Sequence, residues 1–455
     1  MNTISKRLDD MQPELITALK RLVAIRSVEN PGEGGTPFGL EVQRCLEEAL
    51  QIGRELGFET VNMDDMVGWC EYGSGKEMVA VLGHLDVVPE ADGWKTPPYE
   101  AQIVEDRIIG RGVIDDKGPV VASLFALKAI HDAKIPLKRR IRILLGTNEE
   151  TGAADMKYYL AHGGEIPVAG FTPDGEYPLI NGEKGIINET YERSMAQSGD
   201  FRIIRLEGGV AGNVAPDFAM AEVAGPEGYE PPEAEKIQVT KIAGGWRIEA
   251  RGVSAHGSHP EEGENAIGRL ALYLDSLPFE GDAAQSFSFL ANKIGMDCFG
   301  TNLGAYLKDE ISGNMTFNMG ILFGDGKTIG VKLNYRYPVT FEAADCQPKI
   351  QQAFEEAGWN RTAHLHKQKL YIPEDSGLVQ SLLKVYRQAT GDMSAPKSIG
   401  GGTYAKAIPG ILAFGPIFPG DEVTEHRPNE YITVSRLMEN AKIIAAAMVE
   451  LATAD

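Results

Sequence analysis

The sequence is poor in several features that would mark particular classes of protein. Its 455 residues hold only four cysteines, with no C-x-x-C pair; they are Cys45, Cys70, Cys298 and Cys346. This spacing excludes a zinc site built from thiolates and suits a reducing compartment. No apolar run reaches the roughly 18 residues of a membrane span, and the N-terminal residues lack an apolar signal core. We therefore expect a cytoplasmic location and no membrane partner.

Positive charge is also scarce. The 44 Lys and Arg residues stand against 65 Asp and Glu residues, which gives a formal net charge of -21. Nucleic acids and anionic membrane surfaces both need Lys and Arg for neutralisation, so neither is an expected partner. In other respects the composition is that of a globular protein, with 43% hydrophobic and 24% charged residues. A chain of this length is too long for one compact core, so two or more domains are expected.

The order of predicted elements indicates an α/β fold interrupted by an insertion. Apolar runs at 78–82, 103–109, 140–145 and 168–172 read as strands, and helical periodicity separates several of them. This alternation predicts a doubly wound, mostly parallel sheet. Beyond about residue 184 the pattern changes to alternating strands and long polar loops, and the α/β pattern returns after residue 374. We expect one domain of residues 1–183 plus 375–455 and an inserted α+β domain of residues 184–374.

Acidic residues and histidines follow the predicted strands of the first domain. They are His84, Asp86, Asp115, Asp116, Glu149, Glu150 and Asp174, with His426 near the C-terminal end. Carboxylates that converge on one edge of a sheet repel each other unless cations lie between them. Two imidazoles and three carboxylates are the ligands that a pair of divalent ions such as zinc prefers, and one aspartate can bridge two ions about 3.5–4 Å apart. The pattern predicts a site for two ions.

Two of these pairs suggest more specific roles. Residues i and i+2 of a strand share a face, so we expect the Asp86 carboxylate to accept the second imidazole proton of His84. Glu149 and Glu150 offer a base and a metal ligand side by side. The alternative is that acids at strand ends are caps or solvated charges, or that they form a structural cation site without an open coordination position.

The motifs occur in the order typical of one enzyme family. His84-x-Asp86, Gly112-x-x-Asp115-Asp116-Lys117-Gly118, Glu149-Glu150, Asp174 and His426 resemble the motifs of the dinuclear zinc metallopeptidases that include aminoacylase, carnosinase, carboxypeptidase G and succinyl-diaminopimelate desuccinylase. Residues 146–151 and 173–178 are most similar to the bacterial dipeptidase branch, which includes peptidase V-like and Xaa-His dipeptidases.

The resemblance implies a role for each of these residues. Asp115 would bridge the ions, His84 and Asp174 would complete one site, Glu150 and His426 would complete the other, Glu149 would be the general acid/base and Asp86 would orient His84. Zinc is the favoured metal, with manganese and cobalt as alternatives. Family members carry a non-proline cis peptide after the bridging aspartate, so we expect one between Asp115 and Asp116.

The inserted domain resembles the lid of that family. Residues 254–260 match the lid segment whose first histidine stabilises the oxyanion, which implies this role for His256. Asn213 matches a lid asparagine, and Arg336 matches the arginine that binds the substrate's terminal carboxylate. Gly401, within the run 400–402, would let backbone amides approach the same carboxylate. The long insertion is typical of members that act as monomers.

These implications give one expected function and two alternatives. The expected function is a metal-dependent dipeptidase that hydrolyses short peptides with a metal-bridged hydroxide and Glu149 as general base. The first alternative is an N-acyl-amino-acid deacylase or desuccinylase with the same metal chemistry. The second is a non-catalytic metal-binding or peptide-binding protein on the same fold.

Overall fold

The computed structural model describes residues 2–454, which divide into two compact units. The first unit comprises residues 2–181, 372–397 and 402–454, and the second comprises 182–371 and 398–401. The second unit therefore begins two residues before the expected boundary and ends three residues before it. Residues 398–401, which we expected in the first domain, also join the second unit. They do so because their backbone is bonded there: Lys184 N donates to Ile399 O and Arg336 Nη1 donates to Gly400 O.

Ten α-helices lie in the described part of the chain. They are α1 (Asn2–Asp10), α2 (Gln12–Val23), α3 (Leu40–Glu55), α4 (Lys117–Asp132), α5 (Ala154–Ala161), α6 (Ala266–Asp275), α7 (Gly281–Lys293), α8 (Gln347–Glu356), α9 (Gly377–Thr390) and α10 (Val434–Thr453).

The strands of the described residues are numbered in chain order. They are β1 (Glu59–Met63), β2 (Val67–Tyr72), β3 (Met78–His84), β4 (Gln102–Val104), β5 (Arg107–Ile109), β6 (Arg140–Gly146), β7 (Ala169–Thr172), β8 (Gly175–Glu176), β9 (Ile180–Glu183), β10 (Gly185–Ser194), β11 (Arg202–Gly208), β12 (Val214–Ala215), β13 (Phe218–Ala224), β14 (Ile237–Ile242), β15 (Gly245–Arg251), β16 (Ala255–His256), β17 (Lys308–Asp309), β18 (Gly313–Asn314), β19 (Thr316–Gly324), β20 (Thr328–Tyr337), β21 (Asn360–Lys367), β22 (Leu370–Tyr371), β23 (Lys397–Ile399), β24 (Ile411–Ala413), β25 (Pro416–Ile417) and β26 (Tyr431–Thr433).

The first unit is built on a mixed sheet with a parallel centre. Six of its strands follow the order β1-β2-β6-β3-β7-β24, and β9 continues it next to β24. Strands β6, β3, β7 and β24 run parallel, whereas β1 and β2 are antiparallel. All seven residues of β3 are buried, as expected for a central strand covered on both faces. Helices α4 and α10 supply much of the apolar core beside this sheet. The predicted α/β fold class is confirmed.

The second unit has a separate sheet and a separate core. Eight strands pair in the order β14-β15-β13-β11-β19-β20-β10-β21, all antiparallel. Helices α6, α7 and α8 contribute apolar side chains such as Leu270, Phe287 and Phe354 to its core. The apolar side chains pack on one another in this core. Any polar side chain that is buried in the same strands needs hydrogen-bond partners, because an unpaired buried polar group is costly.

One predicted strand was wrong. Residues 103–109 form a hairpin instead, with β4 and β5 paired Val104 to Arg107 and joined by a turn in which Glu105 has φ +57°. The polar residues Glu105 and Asp106 interrupt the apolar run and favour this turn. Within residues 2–454, no helix combines the length and apolar composition that crossing a membrane requires.

Candidate metal centre

Three predicted residues lie at or follow the carboxyl ends of parallel strands in the first unit. β3 ends at His84, whose register partner on β6 is Gly146, three residues before Glu149. β7 ends at Thr172, two residues before Asp174. Because the carboxyl ends of parallel strands meet at one edge of a sheet, these side chains share a crevice.

Asp115 lies between the two imidazoles. Its Oδ1 is 2.9 Å from His84 Nε2, and its Oδ2 is 2.9 Å from His426 Nε2. His84 Nε2 is also 3.7 Å from Asp174 Oδ2, and His426 Nε2 is 3.1 Å from Glu150 Oε2. These side chains form two groups, and within each group the potential ligand atoms lie within 4.8 Å of one another. Each group holds one imidazole and two carboxylates, and Asp115 belongs to both.

The peptide bond between Asp115 and Asp116 is cis, so this prediction is confirmed. Asp116 lies immediately before α4 and is fully buried. Its Oδ2 accepts a hydrogen bond from His84 N at 3.1 Å, but its Oδ1 has no partner among the described residues. The Asp116 carboxyl therefore lies beside His84 with one oxygen unpaired, in surroundings where a negative charge is costly.

The site carries more negative charge than its protein donors neutralise. Burial raises the pKa of Asp174, and the nearby Asp115 charge raises it further. Burial and the Asp174 charge likewise raise the pKa of Asp116. Burial also raises the pKa of Glu149 to about 8, with the charge of Glu150 adding to the effect. Since each of these shifts reflects the cost of an uncompensated buried anion, bound cations would relieve all three.

The two imidazoles partly compensate for these charges. Burial alone would raise the pKa of Asp115, but hydrogen bonds from His426 and His84 outweigh it and lower that pKa. Hydrogen bonds to Asp115 and Glu150 raise the pKa of His426 to about 11. The nearby Lys117 does not help, because its Nζ donates to the carbonyls of Leu22 and Ile25.

The donor set therefore fits two divalent cations. Oxygen and imidazole donors suit zinc, manganese and cobalt, and a shared carboxylate suits a pair of ions. The Asp174 carboxylate accepts no hydrogen bond from the described residues, which leaves its oxygens free to bind an ion.

Asp86 lies beside His84, as expected, and it contacts a second loop as well. His84 Nδ1 lies 3.0 Å from the backbone oxygen of Asp86 and 3.4 Å from its carboxylate. The Asp86 carboxylate also accepts the backbone N–H groups of Glu149 at 3.2 Å and Glu150 at 3.0 Å. Asp86 thus contacts His84 through its backbone oxygen and its carboxylate, and the same carboxylate holds the Glu149–Glu150 turn.

A buried ion pair that we did not predict supports the Asp115 loop. Glu430 Oε2 accepts from Arg111 Nη1 at 2.7 Å, and Glu430 Oε1 accepts from the backbone of Ile114 at 3.1 Å and Asp115 at 3.4 Å. Both side chains of the pair are almost completely buried. Glu430 is four residues from His426, so it ties the loops of two candidate ligands together. The sequence offered one signal for this ion pair: Arg111 is only four residues before Asp115.

A second unpredicted pair supports the Glu149–Glu150 turn. Asp155 is buried and accepts the backbone N–H groups of Thr147 at 2.6 Å and Asn148 at 3.2 Å. It also accepts a hydrogen bond from Tyr404, whose ring lies edge-on to His84 with 6.1 Å between ring centroids. Nothing local in the sequence links residues that are 249 positions apart.

Within the second unit, the predicted catalytic residue His256 lies next to the predicted substrate-binding residue Asn213. His256 on β16 pairs with Val214 on β12, next to Asn213, and Gly257 N donates to Asn213 O at 2.7 Å. His256 Nδ1 is 2.5 Å from Ser258 Oγ. Burial lowers the pKa of His256, and the Arg336 charge lowers it further, so the imidazole is neutral near pH 7.

Arg336 is buried, with only 3% of its surface exposed. Its Nε donates to Asn334 Oδ1 at 3.2 Å and its Nη1 donates to Gly400 O at 2.8 Å. No carboxylate among the described residues lies within 4.0 Å of this guanidinium, and burial lowers its pKa to about 10. A buried guanidinium held only by neutral acceptors is suited to binding an anion.

In the glycine run at 400–402, the tightest contact is at Gly400. A Cβ on Gly400 would lie 2.7 Å from Ser258 Cβ, whereas the nearest atom to a Cβ on Gly401 would be at 3.7 Å. This contact with Ser258 is a different one from the approach of backbone amides to a substrate carboxylate, which stays a prediction. No contact singles out Gly401.

The comparisons with known proteins agree on one family. The profile described as peptidase family M20/M25/M40 matches residues 80–450. A Bacillus subtilis (strain 168) protein named "Putative dipeptidase YtjP" is 35% identical over 455 residues, covering 96% of this chain and 97% of its own. Human carnosine dipeptidase 1 has a similar fold, with a TM-score of 0.57, 17% identity and 99% of both chains covered. Aminoacylhistidine dipeptidase from Vibrio alginolyticus also has this fold, with a TM-score of 0.57, 13% identity and coverage of 95% and 96%.

Proposed function

The chain belongs to peptidase family M20/M25/M40 and is a metal-dependent dipeptidase, and we propose that its two Asp115-centred groups hold the ions at which a dipeptide is hydrolysed. The family resemblance drawn from the sequence is thereby confirmed. The observation that supports the site is the position of Asp115, with one carboxylate oxygen beside each imidazole. A single carboxylate shared by two imidazole-containing groups is the arrangement that a dinuclear site needs.

The chemistry divides between the ions and the protein. When bound, a pair of divalent ions polarises a scissile carbonyl and makes water more acidic. Glu149 has no hydrogen-bond partner for its side chain among the described residues, and its backbone is fixed by Asp86. We assign it the proton transfer: its carboxylate accepts a proton from water and delivers it to the leaving amine.

Residues of the second unit supply the proposed contacts with the substrate. Arg336 would bind the C-terminal carboxylate, because it is a buried guanidinium without an acidic partner among the described residues. His256 would donate a hydrogen bond to the oxyanion, and Asn213, bonded through its backbone to the same turn, would contact the peptide. Gly401 remains part of the proposed carboxylate site through the adjoining Gly400.

Several finer assignments are also proposals. Zinc is the proposed native metal, since imidazole and carboxylate donors suit it, with manganese and cobalt as alternatives. We assign residues 1–183 and 375–455 to the catalytic domain and residues 184–374 to an inserted lid. A monomer is proposed from the length of this insertion. The four cysteines are free, which supports a reducing, cytoplasmic location.

A substrate panel tests this function. Metal-free protein is titrated with Zn²⁺ and separately with Mn²⁺, and hydrolysis is measured for dipeptides, N-acetyl-amino acids and N-succinyl-amino acids. We expect metal-dependent turnover with the highest kcat/KM for dipeptides. A higher kcat/KM for acylated amino acids would identify a deacylase instead. Dipeptide binding without turnover in metal-loaded protein would identify a binding protein.

A further inference from the structure

Three asparagines lie side by side across the sheet of the second unit. In the strand register, Asn334 on β20 is opposite Asn188 on β10 and also opposite Asn318 on β19. Asn334 and Asn318 are buried, with 2% and 1% of their surfaces exposed. A buried amide is costly unless its donors and acceptor are bonded. The hydrogen-bond partners of these three asparagines, called the asparagine row below, therefore show which neighbouring segments the row fixes.

Asn318 holds the loop that carries Asn213. Its Nδ2 donates to Gly212 O at 2.9 Å and to Val214 O at 3.0 Å, the residues on either side of Asn213. Its Oδ1 accepts from Asn265 Nδ2 at 3.1 Å. One end of the asparagine row thus fixes a proposed substrate contact.

Asn334 holds the guanidinium of Arg336. Its Nδ2 donates to Asn188 Oδ1 at 2.8 Å, which fixes the amide so that its Oδ1 accepts from Arg336 Nε at 3.2 Å. The second acceptor of Arg336 is a backbone carbonyl, that of Gly400. Both acceptors are neutral, so they orient the guanidinium but do not compensate its positive charge.

The same amide oxygen faces the turn that carries His256. A Cβ on Gly257 would lie 2.9 Å from Asn334 Oδ1 and 2.8 Å from Asn213 O, so this turn packs against Asn334 because residue 257 is glycine. Asn334 therefore contacts both the arginine and the turn of the oxyanion histidine.

We propose that Asn334 is a positioning residue that determines specificity for a free C-terminal carboxylate. Its amide orients Arg336 and keeps it without an internal counter-ion, so the peptide carboxylate is the anion that completes the pair. An aspartate of the same size at this position would pair with Arg336 internally and compete with the substrate. This inference rests on the proposed function, in which Arg336 binds the terminal carboxylate.

The test compares Asn334→Asp with wild type on a dipeptide and on the same dipeptide with an amidated C-terminus. For Asn334→Asp we expect KM for the dipeptide to rise by about tenfold or more, the loss expected when one charged hydrogen-bonded pair is weakened. We expect kcat to change by less than about threefold, and KM for the amide to stay within about threefold of wild type. The ratio of the two kcat/KM values, measured on one sample, does not depend on the folded fraction.

Two further variants separate charge from structure. Asn188→Asp places the same charge one strand farther from Arg336 and keeps an acceptor for Asn334 Nδ2; it should retain the wild-type substrate ratio. Asn334→Ser keeps the position neutral but removes the amide that orients Arg336, so its substrate ratio should lie between those of wild type and Asn334→Asp. A loss of kcat without a change in this ratio in Asn334→Asp would overturn the proposal and leave Asn334 a structural residue.

Arg336→Met distinguishes this inference from the proposed function. If wild type prefers the free carboxylate and Arg336→Met does not, the carboxylate role of Arg336 holds. An unchanged ratio in Asn334→Asp would then reject the role of Asn334 alone. If Arg336→Met keeps the wild-type preference, the carboxylate site itself is misplaced and both proposals fail.

Discussion

Single residues at the candidate metal centre owe their properties to burial and to backbone donors. Asp86 has only 1% of its side chain exposed, and its carboxylate is occupied by two backbone N–H groups of the Glu149–Glu150 turn. Glu150 lies beside His426, while Glu149 has no side-chain hydrogen bond among the described residues. Two adjacent glutamates thus have different surroundings, which is why we give them different roles.

Replacement of Glu149 tests this division. Glu149→Gln should keep two bound ions but lower kcat by about 10²–10⁴-fold, because the amide cannot accept the proton. Glu150→Gln is the matched control and should lose bound metal and activity together. The measurements are kcat on a dipeptide and metal content by mass spectrometry. Near-wild-type kcat in Glu149→Gln would remove this residue from the mechanism.

Among the secondary-structure elements, β10 shows how a polar residue can be built into a sheet. Glu189 on β10 is 1% exposed and accepts hydrogen bonds from five side chains, which are Tyr191, Tyr335, Gln347, Arg361 and His364. Burial acts to raise the pKa of Glu189, but these donors, with Arg361 the strongest, outweigh burial and lower it. The charged form of Glu189 is therefore part of the folded state of this sheet.

We expect Glu189→Gln to destabilise the protein by about 1–3 kcal/mol near pH 7, through loss of charge-assisted hydrogen bonds. Because the folded-state pKa is lowered, this contribution is fully present above the unfolded value near 4.5 and is lost as pH falls through the folded pKa. Urea denaturation from pH 7 downward should show the two proteins converging only below about pH 4.5. A difference that shrinks already between pH 7 and 5 would contradict this assignment.

At the scale of the whole molecule, metal binding should add stability to the chain. Ions that bind only the folded state stabilise it by about 2.7 kcal/mol at a concentration of 100 Kd. We expect added Zn²⁺ to raise Tm, and less so at lower pH, because imidazole and carboxylate ligands must be deprotonated to bind.

Asp115→Asn and Asp174→Asn form a matched pair for this test. Asp115 belongs to both groups and Asp174 to one, so Asp115→Asn should weaken binding of both ions, whereas Asp174→Asn should leave one ion bound. Calorimetric titration gives the stoichiometry, and thermal denaturation gives the change in Tm. Retention of two ions by Asp115→Asn would refute the shared ligand.

The sequence by itself determined the class of fold and the identity of the candidate ligands. Apolar runs followed by His84, Asp115, Glu149 and Asp174 are local features, and the geometry of parallel strands carries such residues to one edge. The hairpin at 103–109 was missed because we read the apolar residues on both sides of Glu105 and Asp106 as one strand, although these two polar residues favour a turn.

Only the tertiary structure decided which atoms meet. In the tertiary structure, the Asp86 carboxylate accepts hydrogen bonds from backbone amides, and Arg111 pairs with Glu430 next to the Asp115 loop. Asn334 is opposite Asn188 in the strand register. These contacts join residues up to 319 positions apart. They depend on strand register and loop packing, which no local pattern of residue types encodes.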